Sequence, residues 1–167
     1  MKHNISVWQI TGFGLVSLLG TFLHFAYDLS GKSVLVAPFS GINESTWEHM
    51  KLLYFPLLIF ALIQFRYFYE YKNYWCVKLK GFLLGLILIP VLFYTYNGCF
   101  GKSPDWINIS IFFISTAAAF LLEYKLFNKN YKCKHPFLSL FIIIFIGILF
   151  VIFTFNPPNL PLFKNPF

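Results

Sequence analysis

Charge is scarce in this chain. Of its 167 residues only 11% are Asp, Glu, Lys or Arg, less than half the roughly 25% that a water-soluble domain carries. Too few charges remain to coat a surface against water, which excludes an ordinary soluble fold. Cysteine is sparse as well. Cys76, Cys99 and Cys133 share no C-x-x-C spacing, so a thiolate zinc site has no sequence support. The four histidines never form H-E-x-x-H or another recognisable metal signature. No kinase, nucleotide-binding, haem or flavin signature occurs. Gly12-Phe13-Gly14 lies inside an apolar run rather than after a strand, so it is not a phosphate cradle. No internal repeat is present, which removes support for an inverted-repeat transporter.

Arginine occurs once, as Arg66, against 12 lysines among the 13 basic residues. That skew, with abundant Phe, Ile, Asn and Tyr, suggests an AT-rich bacterial genome. It also counts against glycosylation at Asn43-Glu44-Ser45 and Asn108-Ile109-Ser110. The net charge of +7 invites a nucleic-acid reading. The lysines lie in short loops between apolar blocks, and no groove-reading motif accompanies them, so no nucleic-acid partner is expected.

What is present is apolar length. Hydrophobic residues make up 58% of the chain, and the mean hydropathy is +0.68. A hydrocarbon core of about 30 Å needs roughly 17–25 helical residues. Five stretches meet that length: Trp8–Tyr27, Leu52–Tyr69, Gly81–Asn97, Trp106–Leu122 and Pro136–Phe155. The first has no A-x-A-like exit and carries Gly14, Ser17, Gly20 and His24, so it reads as a retained span rather than a signal peptide. Pro56 and Pro90 fall within spans and should kink them. Trp47, Tyr54, Tyr67, Tyr69, Trp75, Tyr94, Tyr96 and Trp106 gather at expected interfaces. The expected fold is an all-α bundle of five transmembrane helices forming one integral membrane domain over residues 1–167.

Lysine placement sets the orientation. With the N-terminus inside, the cytoplasmic side holds Lys2, Arg66, Lys72, Lys78, Lys80, Lys125, Lys129, Lys132 and Lys134, and the outer side holds Lys32, Lys51, Lys102 and Lys164. Nine cations against four predicts a cytoplasmic N-terminus and an extracytoplasmic C-terminus, in the inner membrane of a bacterium. The acids lean the other way, with Asp28, Glu44, Glu48 and Asp105 outside and Glu70 and Glu123 inside. Cys76 and Cys133 then fall inside and Cys99 outside, and no disulfide is expected.

Two segments carry chemistry-bearing residues, both at the outer face. In the first span Ser17, Gly20, Thr21, His24 and Asp28 follow steps of three and four and share one helical face. Its small residues admit a neighbouring helix; His24 could simply bond that neighbour, with Asp28 facing water. The second segment is Asn43-Glu44-Ser45-Thr46-Trp47-Glu48-His49. Ser45 and Glu48 fit a capping box at a helix start, which accounts for Glu48 without chemistry but leaves Glu44 and His49 unexplained. On a regular helix His49 turns about 100° from Glu48, so one metal would not take Glu44 and His49 together. It could take His24 and Asp28 with Glu48 or His49. The connecting residues 29–42 contain Gly31, Pro38 and Gly41 and can fold back over the helix ends.

Two imidazoles and three acids in one region suit a divalent ion such as Zn²⁺ or Mn²⁺. The metal candidates are His24, Asp28 and His49, and the catalytic candidates are Glu44, Glu48 and His49. Tyr94, Asn97, Asn108 and Ser115 could line the same cavity, although interhelical hydrogen bonding explains them equally. The tail Asn156-Pro157-Pro158-Asn159-Leu160-Pro161-Leu162-Phe163 resists helix formation and could cap the outer face or extend freely.

The stretch Asn43–Pro56, NESTWEHMKLLYFP, with the upstream Leu23-His24-Phe25-Ala26-Tyr27 and the Pro-Pro tail, resembles an uncharacterised family of small bacterial membrane proteins. We associate that family with an N-E-S-x-W-E-H motif; it implies a polytopic membrane fold across the chain and transfers no activity. Intramembrane hydrolases of the alkaline ceramidase type are similar in pairing early His and Asp residues. They add a late His-x-x-x-His, whereas His135 is the only histidine here after His49. The tryptophan-rich translocator proteins match in size but not in their Trp-rich loop.

Three functions are compatible with these residues. A metal-assisted hydrolase or transferase would act on a lipid or lipid-linked substrate, with the metal lowering the pKa of bound water and Glu44 as general base. A binding or transport protein would use His24 and Asp28 as a proton or cation site. An accessory membrane subunit would need only the well-capped helix. Polar lining in the inner half of the helices separates the second from the first.

Overall fold

The structure, a computed structural model, describes residues 4–129 and 131–165. Lys2, counted above with the basic end, lies outside them. Long apolar runs become five helices, with Pro56 and Pro90 retained inside the second and third: α1 (Ile5–Leu29), α2 (Thr46–Phe68), α3 (Tyr74–Phe100), α4 (Asp105–Asn128) and α5 (Pro136–Phe155). Each is long and apolar enough to span a membrane, and at 1.5 Å per residue even a 20-residue helix covers about 30 Å. The chain is an all-helical, multi-pass membrane protein.

Local chemistry sets the ends. The Asn4 side chain accepts from the Val7 amide at the start of α1, and the Ser45 hydroxyl accepts from the Glu48 amide at the start of α2. Gly101, with φ +81°, turns the chain after α3 while its amide donates to the Asn97 carbonyl, a left-handed stop that suits a residue without Cβ. Pro136 opens α5, where its missing donor costs nothing.

Helices α2 and α3 begin six or seven residues before the apolar runs that announced them, and α4 ends six residues later. Backbone hydrogen bonding continues past the apolar stretch wherever polar side chains find partners inside the bundle. Lys51, Lys78 and Glu123 are such residues. All three have no exposed surface, so two of the lysines assigned to loops are packed between helices.

Helices α1 to α4 form a ring in which each packs on the next and α1 closes against α4, while α5 lies outside against α3 and, more lightly, α2. Lipid gives little hydrophobic drive for such association, so close packing must supply it. Gly20 shows how close: a Cβ there would stand 2.7 Å from the Leu52 carbonyl oxygen of α2 and 2.5 Å from the Phe112 ring of α4. Tyr54 crosses to α5, donating its hydroxyl to the Ile143 carbonyl at 2.6 Å. Between α3 and α4, Lys78 Nζ lies 2.7 Å from Glu123 Oε2, and the ammonium also sits 5.2 Å from the centre of the Phe60 ring. Gly81 makes room for the Glu123 carboxylate.

Cys76 and Cys133 form a disulfide, with Cα atoms 5.9 Å apart, that ties the start of α3 to the segment preceding α5. This overturns the expectation of unpaired thiols, which rested on compartment alone and contained no information about distance. Cys99 is free and exposed.

Candidate functional site

Helix order brings the end of α1, the starts of α2 and α4, the end of α3 and the tail to one end of the bundle. Residues 30–45 are folded down over it by three anchors. The Ser40 hydroxyl inserts into the α1 ladder, donating to the Leu23 carbonyl and accepting from the Tyr27 amide, on the turn that carries His24. The Ile42 amide donates to Glu48 Oε2 at 2.9 Å. Lys51 Nζ donates to the Ala37 carbonyl at 3.0 Å and to Thr154 Oγ1 at 2.8 Å, so the same ammonium holds this segment and the end of α5.

These anchors decide what the two glutamates do. Glu48 is buried and pairs with Lys51 at 2.7 Å. It does not line the cavity beside the histidines; both of its contacts, to a buried ammonium and to a backbone amide, hold the fold. The capping box is half formed, since Glu48 reaches back to Ile42 rather than Ser45, whose own amide donates to Asn43 Oδ1. Glu44 precedes the cap residue Ser45 and is therefore free of helical geometry. Its Oε1 lies 4.0 Å from His24 Nε2 and its Oε2 lies 3.5 Å from His49 Nε2. The argument that Glu44 and His49 could not act together assumed a helix through Glu44; α2 begins after it.

The imidazoles of His24 and His49 are 5.7 Å apart, centre to centre. His49 Nδ1 lies 3.0 Å from the Ser45 carbonyl oxygen. A carbonyl only accepts, so Nδ1 carries the hydrogen and Nε2 turns a lone pair, or a second proton, towards Glu44. Asp28, a turn beyond His24, is exposed and does not line the cavity described below. The acid that stands beside both imidazoles is Glu44 rather than Asp28. Among the described residues, no three His, Cys, Asp or Glu side chains converge tightly enough to hold a metal as they stand.

The triad forms part of the wall of a cavity of about 730 Å³ between α1, α2, α3 and α4. Its deeper wall is apolar, with Leu52, Ile89, Phe93 and Phe112, while Asp105, Asn108, Lys102 and Asn165 join the histidines in its polar part. Phe25, Ile109 and Phe113 line it from the exposed flanks of α1 and α4, which is where the bundle would meet lipid. Of the further polar candidates, Asn108 lines the cavity. Asn97 instead closes the rim, accepting from the Ser103 amide while Ser103 donates to Asn108. Tyr94 and Ser115 are not part of the lining.

The tail is a cap. Its 3₁₀ turn, Pro161–Phe163, places Phe163 against Trp47 with ring centres 4.6 Å apart. Asn165 Oδ1 accepts from the Glu44 amide at 3.1 Å. Sequence reasoning missed Asn165, Ser40 and Lys51 as site-building residues. Only Lys51 left a signal, as a lysine one turn after a glutamate at the mouth of an apolar run.

Across residues 1–167 the sequence matches a protein family described as a family of unknown function (DUF6512). The chain belongs to that family. No curated protein and no solved structure matches it. Membership of DUF6512 agrees with the resemblance to an uncharacterised family and brings no activity with it.

Proposed function

We propose that this DUF6512 protein is a membrane-embedded hydrolase or transferase that works on the polar end of a lipid or lipid-linked substrate. The observation that carries this reading is the orientation of His49. Its Nδ1 is committed to the Ser45 carbonyl, so Nε2 is presented to Glu44 at the polar end of a cavity that is otherwise apolar. An imidazole fixed in this way can take a proton from water or a substrate hydroxyl, and a carboxylate beside it stabilises the imidazolium that results. Backbone-anchored Nδ1 is also the arrangement that prepares a histidine for a metal. Where a divalent ion such as Zn²⁺ or Mn²⁺ is bound, His24, Glu44 and His49 are the residues that would hold it, and it would supply an acidified water.

The lysine bias supports a cytoplasmic N-terminus, with the site at the extracytoplasmic face of a bacterial inner membrane. Setting aside the two buried lysines, Lys78 and Lys51, nine cations against four becomes eight against three, so the bias persists. A second reading, proton- or cation-linked binding or transport, draws support from the Lys78–Glu123 pair, with Gln9 approaching Glu123, inside the opposite half of the bundle. Polar groups there are more numerous than the loop assignment of Lys78 and Glu123 implied.

The test is turnover. Protein reconstituted in phosphatidylethanolamine–phosphatidylglycerol vesicles, with a lipid extract added, would be followed by mass spectrometry for head-group loss or exchange. Products formed by the native chain and lost in His49→Ala and Glu44→Gln support the reading. Equal product from native and variant chains refutes it.

A further inference from the structure

The triad comes from α1, α2 and the segment before α2, and Asn108 of α4 stands at the same depth in the cavity wall. Gly20 of α1 packs against the Phe112 ring of α4. The two helices run in opposite directions, so one turn outward from that contact lies His24 on α1 and Asn108 on α4. Both line the cavity, together with Glu44 and His49.

What Asn108 offers the cavity is decided by its neighbours at the rim. Asn97 Nδ2 donates to the Phe93 carbonyl at 2.8 Å and, in a longer bond, to Ser103 Oγ at 3.3 Å. Asn97 Oδ1 accepts from the Ser103 amide at 2.8 Å. With both ends of Asn97 fixed, Ser103 Oγ accepts from Asn97 and its single hydrogen must go elsewhere. It goes to Asn108 Oδ1, at 2.8 Å. The carbonyl end of the Asn108 amide is thus in use, and among the described residues its Nδ2 has no acceptor. That nitrogen is not sealed inside the bundle: Asn108 is half-buried and lines the cavity. An oriented N–H donor left open in a largely apolar cavity is prepared for an acceptor oxygen of a ligand.

Charge selects the kind of oxygen. The lining holds one ammonium, Lys102, against the carboxylates of Glu44 and Asp105. The only arginine, Arg66, lies in the last turn of α2, at the far end of the bundle. Phosphoryl transfer is stabilised by cationic clamps, whereas the oxyanion of acyl transfer is stabilised by neutral donors, asparagine amides among them. A carboxylic ester is uncharged, and its acyl chain suits the apolar wall of Leu52, Ile89, Phe93 and Phe112.

We propose that the cavity takes a carboxylic ester of a lipid and that Asn108 Nδ2 donates to its carbonyl oxygen, as the oxyanion donor of an ester hydrolase. This rests on the proposed function and narrows its substrate class. Water adds to the carbonyl carbon while His49 Nε2 takes its proton, and the Asn108 amide meets the negative charge that develops on the carbonyl oxygen. The tetrahedral intermediate then collapses. The bond to the alkoxy oxygen breaks, the imidazolium returns its proton to that oxygen, and a carboxylic acid and an alcohol leave.

Two chromogenic probes separate the chemistries: para-nitrophenyl decanoate, which offers a carbonyl, and decyl para-nitrophenyl phosphate, which offers a phosphoryl group. The full-length protein in vesicles should cleave the decanoate above the rate in empty vesicles and leave the phosphate intact. Asn108→Asp keeps the acceptor that Ser103 needs and removes only the donor, while Asn108→Ala removes the donor without adding charge. Each should lower kcat on the decanoate by ~10²–10³-fold. KM should change little, because the donor acts on charge present only in the transition state, and the thermal midpoint of Asn108→Asp should stay near native. Native kcat in either folded variant, a loss confined to KM, or preference for the phosphate overturns the inference. Phosphate cleavage or lipid-extract turnover that depends on His49, without decanoate cleavage, keeps the enzyme reading and discards this one. Cleavage of neither probe and no turnover of the extract discards both.

Discussion

Glu48 and Lys51, one turn apart on α2, form a 2.7 Å ion pair sealed inside the bundle, while Glu44, only four residues earlier, is 69% exposed and stands between two imidazoles. The two carboxylates should therefore fail in different ways. Glu48→Gln leaves Lys51 buried against a neutral partner, and breaking a buried pair typically costs about 3–5 kcal/mol. That loss should lower the thermal midpoint in detergent and loosen residues 30–45, seen as faster amide exchange. Glu44→Gln removes an exposed charge and should leave the midpoint nearly unchanged while abolishing turnover. A Glu44 variant as unstable as the Glu48 variant would contradict this division.

Metal content gives an independent check on the triad. Protein purified without nickel resin, His-tag or chelator and then dialysed against Zn²⁺ or Mn²⁺ should retain close to one ion per chain by plasma mass spectrometry. The ion should fall to background in His24→Ala and in His49→Ala, and should persist in Asp28→Ala, because Asp28 lies outside the cavity. Retention that depends on Asp28 would return that residue to the site at the expense of Glu44.

The Lys78–Glu123 pair predicts a stability pattern of its own. Neither side chain is exposed, and the two are 2.7 Å apart. Glu123→Leu alone strands an ammonium among Phe60, Tyr74 and Phe120 and should cost about 3–5 kcal/mol. Lys78→Met with Glu123→Leu should recover most of that loss, because packed apolar pairs replace buried ion pairs at little cost. If the second reading is correct, the double variant should be stable and yet lose proton-coupled uptake. Stability measured by urea titration in detergent and uptake measured in vesicles separate the two roles.

Spans were legible because a membrane imposes a length on apolar runs, and every expected span lies largely within a helix. Their polar ends were not. Lys78 and Glu123 read as loop residues because hydropathy counts side chains one at a time, and a lysine neutralised by a partner 45 residues away looks the same as a solvated one. The site was half legible. His24, Glu44 and His49 were singled out from the residue types alone, whereas choosing between Asp28 and Glu44 depended on where α2 begins and on how Ser40, Ile42 and Asn165 fix the covering segment. Those contacts join residues distant in sequence through single hydrogen bonds and leave no periodic trace.

Orientation makes the last prediction, and the cysteines make it measurable. The disulfide between Cys76 and Cys133 lies at the lysine-rich end, which the charge bias assigns to the cytoplasm, where reducing conditions ordinarily keep thiols apart. Cys99, free and exposed, lies near the opposite end. In intact cells a membrane-impermeant maleimide should therefore modify Cys99 directly. Cys76 and Cys133 should react only after the envelope is permeabilised, and more fully after a reductant has been added. Protection of Cys99, with Cys76 and Cys133 modified from outside after reduction, would invert the topology. The His24–Glu44–His49 cluster would then face the cytoplasm and the disulfide would lie in an oxidising compartment. Unpaired Cys76 and Cys133 in cells, with Cys99 outside, would mean that these two thiols sit within bonding distance and are kept reduced by their compartment.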